Sequence, residues 1–65
     1  AREAVELFKL NAEMYPRSSN AFDSLGEGYA AAKDRESAIK SYRRALELNP
    51  QNSNAAEALR KLGEK

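Results

Sequence analysis

An all-α fold of about four helices, packed as antiparallel hairpins in one small domain, is what this 65-residue chain predicts. Two observations carry the prediction. Apolar residues recur at steps of three and four, the spacing of one face of an α-helix. The chain also repeats itself: Pro16 and Pro50 stand 34 positions apart, and the same shift pairs Ala4 with Ala38, Glu13 with Glu47, Ser19-Asn20-Ala21 with Ser53-Asn54-Ala55, and Leu25 with Leu59. A period in this range marks a stacked repeat array, in which each unit buries its apolar face only against a neighbour.

Each helix follows from local chemistry. The first is expected over 2–14, where Ala4, Val5, Leu7, Phe8, Leu10, Ala12 and Met14 form a broad apolar face. Pro16 disfavours helical backbone in Tyr15, so the helix stops there. The polar run RSSN offers side-chain oxygens to cap a second helix over 19–32, whose narrower stripe is Phe22, Leu25, Gly26 and Tyr29. Asp34 caps a third helix over 35–48, with Ala38, Ile39, Tyr42, Ala45, Leu46 and Leu48 on one side. Pro50 closes it near Asn49, and QNSN caps a fourth over 53–63 that carries Ala55, Ala56, Leu59 and Leu62.

Composition excludes several functional classes. Eleven Lys and Arg against ten Asp and Glu leave a net charge of +1, which gives nucleic acid no concentrated basic face to bind. Arg35, Lys40, Arg43 and Arg44 cluster on the third helix, but Glu36 and Glu47 lie four residues from Lys40 and Arg43, where opposite charges offset one another. No apolar run approaches the roughly 18 residues that span a bilayer. A soluble chain is expected, with the cytoplasm slightly favoured. There is no Cys and no His, so disulfides, the commonest transition-metal ligands and the usual serine activation are absent, and no catalytic residue, metal site or cofactor is assigned. A chain this short buries only about 60% of its unfolded surface, which leaves association or attachment to a longer chain as its support. It opens at Ala1, already within a helical pattern, and is expected to be a fragment.

The stretch LGEGYAA, Leu25 to Ala31, spells a relaxed G-x-G-x-x-A and raises the question of a dinucleotide. That fingerprint needs a β-strand before the first glycine. SNAFDS precedes it here, a run of cap and helix formers. Gly26 therefore lies inside a helix, at a cost of about 1 kcal/mol relative to Ala. Close approach of the helix bearing Ala38 and Tyr42 is the expected compensation, whereas Gly28 is expected to face elsewhere and loosen the helix.

Phe22, Leu25-Gly26, Tyr29, Ala38, Tyr42, Ala45 and Pro50 together resemble the signature of the tetratricopeptide repeat, a 34-residue helix–turn–helix unit, with every signature position suitably filled. The resemblance implies a right-handed stack: residues 1–18 as the second half of a preceding repeat (Ala4, Phe8, Pro16), 19–52 as a complete repeat, and 53–65 as a following half repeat or capping helix that keeps Leu59. Asn11 replaces the signature alanine in the first helix, which is expected to pack loosely there. Lys33 replaces the glycine often found in the turn, and a left-handed backbone at that position would strain it.

By the same resemblance, the first helix of each pair lines a concave groove, here Asn20, Asp23, Glu27, Ala30 and Ala31, continued by Asn54, Glu57 and Lys61. Asp23 and Glu27 stand where some members of the family carry the Lys and Asn that clamp a C-terminal carboxylate. An acidic tail is therefore not expected as a ligand, and a basic or amphipathic peptide suits the charge better. Read as a catalytic pair, Asp23 and Glu27 lack an environment to separate their pKa values, and as an i, i+4 pair they are expected to be solvated. Phe8, Leu10, Met14 and Tyr15 form the other candidate surface, an apolar patch that favours association. The leading expectation is a non-enzymatic interaction scaffold that offers the groove to a peptide or protein segment. The alternative is a structural module, a piece of a longer repeat protein, that docks or forms a homo-oligomer through its exposed terminal helices.

Overall fold

A computed structural model describes residues 2–63, which form four helices: α1 (Arg2–Met14), α2 (Ser19–Ala31), α3 (Arg35–Leu48) and α4 (Ser53–Gly63). Each packs against the next in sequence, and the α2–α3 hairpin is the most extensive interface. Neighbours run antiparallel. Ser19 at the start of α2 hydrogen-bonds the Ala45 carbonyl near the end of α3, and Arg35 at the start of α3 donates to the Leu62 carbonyl near the end of α4.

Local chemistry sets the ends. Ser18 caps α2 by accepting the Ala21 N–H, Asp34 caps α3 by accepting that of Ser37, and Asn52 does the same for Ala55 at the start of α4. The α2–α3 corner is a Schellman turn, in which the Asp34 N–H reaches the Tyr29 carbonyl and the Lys33 N–H reaches that of Ala30. Lys33 holds the left-handed position, φ 64°, that such a turn usually assigns to glycine. Helix α2 stops one residue short of the expected end because Ala32 is its C-cap.

Alanine builds the centre of the stack. Ala38, Ala45 and Ala55 are fully buried, Tyr42 almost so, and Phe22, Tyr29, Leu46, Leu59 and Leu62 pack around them. A smaller cluster, Ala12, Ala21 and Leu25 with Phe8, joins α1 to α2. Small side chains let backbones approach closely, and Gly26 and Gly28 in α2 serve that purpose. A Cβ on Gly26 would stand 2.8 Å from the Tyr42 ring, and one on Gly28 would stand 2.7 Å from Phe8. The expectation for Gly28 is thereby corrected: it is buried and receives α1, on the opposite side of α2 from the glycine that receives α3.

Helix α1 differs from its repeat counterpart α3. It turns Val5, Phe8 and Ala12 toward α2, while Ala4, Leu7, Asn11 and Met14 are exposed. The 34-residue shift maps that exposed stripe onto Ala38, Ser41, Ala45 and Leu48, of which the first three are buried. Asn11 therefore does not loosen the α1–α2 contact; it lies outside it.

Candidate functional site

The expected groove residues occupy two helices. On α2, Asn20, Asp23, Glu27, Ala30 and Ala31 recur at three- and four-residue steps along one side, bordering the stripe that meets α3, and Ala30 packs against the cluster of Ala38 and Tyr42. On α4, Asn54, Glu57 and Lys61 recur in the same way and are exposed. One contact joins the two sets: the Asn54 Nδ2 donates to Asp23 Oδ2 at 2.9 Å. Below it, a second link fixes the spacing of the helices. The Asn52 amide donates to the Ser19 hydroxyl at 2.8 Å, and that hydroxyl donates onward to the Ala45 carbonyl. Asn52 thus caps α4 and braces it against α2 with one side chain. Sequence reasoning gave QNSN a capping role alone, because its other partner is 33 residues away.

Electrostatics along this face are acidic. Asp23, Glu27 and Glu57 outnumber Lys61. Asp23 is not solvated as expected for an i, i+4 pair; it is 9% exposed, whereas Glu27 is exposed. The reason is its position at the junction of α2 and α4, where Asn54 covers one oxygen. The other oxygen, Oδ1, is buried without a hydrogen-bond partner. Tyr42 senses the same charges from beneath: burial first, then Glu27 and Asp23, push its hydroxyl up to about 12. Each disfavours the phenolate, burial by withholding water and the carboxylates by repulsion.

The expected association surface is split. Leu10, Met14 and Tyr15 are exposed, joined by Leu7 at 68% exposure. Phe8 does not belong to the patch, since its ring lies over Gly28. A cleft of about 570 Å³ opens between α1 and the α2–α3 corner, lined by Val5, Glu6, Lys9, Tyr29, Ala32, Asp34 and Ser37. Tyr29 is about 200° around α2 from Glu27, so this cleft lies on a different side of the helix from that residue. Its charges are mixed, and it contains no buried polar atom lacking a partner among the described residues. On the outer face of α3, Arg44 is paired with Glu47 at 3.0 Å and sits over the Phe22 ring, 5.9 Å from its centroid. Among the described residues no helix is long and apolar enough to cross a membrane, and no cluster of acidic side chains has the make-up of a metal site.

Comparison with known proteins gives one match. A family model described as tetratricopeptide repeat covers residues 19–52, just over half of the chain. No curated protein and no solved structure matches significantly.

Proposed function

This chain belongs to the tetratricopeptide repeat family, and from that premise we infer that it is a non-catalytic protein-interaction module whose α2–α4 groove receives a peptide or protein segment. The observation that supports the reading is the pair of contacts between α2 and α4, Asn54 to Asp23 at 2.9 Å and Asn52 to Ser19 at 2.8 Å, which set side by side two helices that are not neighbours in sequence. Rigid helices present the flanking side chains, and the Ser19–Asn52 brace holds the spacing. A surface so fixed loses little freedom when a ligand settles on it.

The test is capture of binding proteins by the native chain and by a Glu27→Lys, Glu57→Lys variant. Both positions are exposed, so the fold tolerates the exchange. Loss of capture supports the groove, and undiminished capture rejects it. A second reading, self-association through α1, draws on the exposed Leu7, Leu10, Met14 and Tyr15. Sedimentation at micromolar concentration separates the two: a monomer whose weight does not change with dilution sets that reading aside, and a dimer that Leu10→Glu dissolves supports it.

A further inference from the structure

We propose that the groove takes an arginine-bearing segment, whose guanidinium seats on the Asp23 carboxylate in place of the Asn54 amide, with Glu27 as the second carboxylate. The assignment deepens the groove reading and rests on it. Its starting point is the unfinished hydrogen bonding of Asp23. A buried carboxylate carries lone pairs on two oxygens, and each one left without a donor keeps the cost of its lost hydration. Here Oδ2 has one neutral donor, the Asn54 amide, and Oδ1 has none. Buried polar groups in folded chains are nearly always satisfied, by protein or by ordered water, so an acceptor left open by the protein is where an added donor gains most.

The chemistry of that donor follows from the surroundings. Glu27 is one turn along the same face and exposed, and Glu57 stands on the opposing helix. Lys61 is one cation against these three carboxylates, so a neutral donor would leave the face acidic and an anionic ligand would be repelled. A guanidinium offers two parallel N–H groups, the fork that fits both oxygens of a carboxylate, and it is more weakly hydrated than an ammonium. Access to Oδ2 runs through Asn54: that residue is exposed and bound to Asp23 by a single neutral hydrogen bond, so its amide can swing away as the stronger charge-assisted pair forms. Asp23 then exchanges one donor for two.

The experiment titrates the ¹⁵N-labelled chain with a short capped peptide of alternating alanine and arginine, alongside matched peptides carrying lysine or citrulline. Citrulline keeps the shape of arginine without its charge. The expected result is that the arginine peptide moves the Asn54 side-chain amide signal and the backbone signals of Asp23 and Glu27, that lysine binds more weakly, and that citrulline does not bind. Asp23→Asn should weaken the arginine peptide by roughly tenfold or more, the value of a charge-assisted hydrogen bond. Should Asp23→Asn not fold, Glu27→Gln serves, with a smaller loss of the same sign. Asn54→Ala should bind at least as tightly as the native chain, because it removes the competing amide. Loss of binding in Asn54→Ala as severe as in Asp23→Asn overturns the exchange. Citrulline moving the same groove signals overturns the cation while leaving the groove reading intact. Arginine moving signals on α1 or α3 alone overturns both. An arginine peptide without effect overturns the cation, and the groove is then judged by its own capture experiment.

Discussion

Lys33 is the residue whose backbone and side chain disagree most. Its φ of 64° places an L-residue in the left-handed region, where Cβ crowds the carbonyl oxygen at a cost of about 1 kcal/mol or more. Lys33→Gly should therefore raise the thermal midpoint by a few degrees, since about 1 kcal/mol shifts a domain of this size by roughly 4–8 °C and the freer unfolded glycine chain takes back part of the gain. The two glycines of α2 predict the reverse. Alanine is the better helix former by about 1 kcal/mol, yet its Cβ would overlap the Tyr42 ring at position 26 and Phe8 at position 28. Tyr42 is 3% exposed and hemmed in, whereas Phe8 is half-buried and has room to move outward. Gly26→Ala is expected to destabilise by about 1–3 kcal/mol, the range for overpacking, and Gly28→Ala by less. Urea midpoints for the two variants check the order; equal stability would mean that Tyr42 yields as easily as Phe8.

At the scale of the elements, Asn52 links the last helix to the rest. Its backbone carbonyl takes the Ala56 N–H, its side-chain oxygen takes the Ala55 N–H, and its amide reaches Ser19. Asn52→Ala removes a cap worth about 1 kcal/mol together with that brace. Amide exchange in α4 should then quicken well before exchange in α1, and a uniform loss of protection would count against a local role. Helix boundaries were legible in the sequence because prolines and caps act over a few residues, as Pro16, Asp34 and Pro50 do. What a helix touches was less legible. The stripe of α2 identified its α3 side through Phe22, Gly26 and Tyr29, but Gly28 looked idle because its partner, Phe8, is twenty residues back. Phe8 shares its apolar character with Leu10 and Met14, and only its rotation toward α2 sets it apart and leaves Leu7 in its place. Along the expected groove face, residue type gave the acidic character, but the partner of Asp23, Asn54, is 31 residues away, and no local pattern encodes that.

For the whole molecule, alkaline pH gives a readout of the packed state. Tyr42 loses its proton near pH 10 in the unfolded chain and near 12 in the folded one. A group with a raised folded pKa contributes stability that is present in full below pH 10 and disappears as pH rises toward 12. The denaturant midpoint should accordingly be level up to about pH 10 and then fall, and Tyr42→Phe should flatten the part of that decline due to this residue. An unchanged decline in Tyr42→Phe would assign it to other groups. The core supports the same picture: among the described residues no large side chain is completely buried, so the stack is held by close approach of alanine and glycine faces around Tyr42 and under the partly covered rings of Phe8, Phe22 and Tyr29.

The opposed glycines of α2 give the stack a direction. Gly28 accepts the helix before it and Gly26 the helix after it, whereas α4 carries Leu62 and the exposed Arg60 at the matching places. Leu62 packs inward. A further helix laid against α4 would meet a long basic side chain at the place where α2 offers α3 bare backbone.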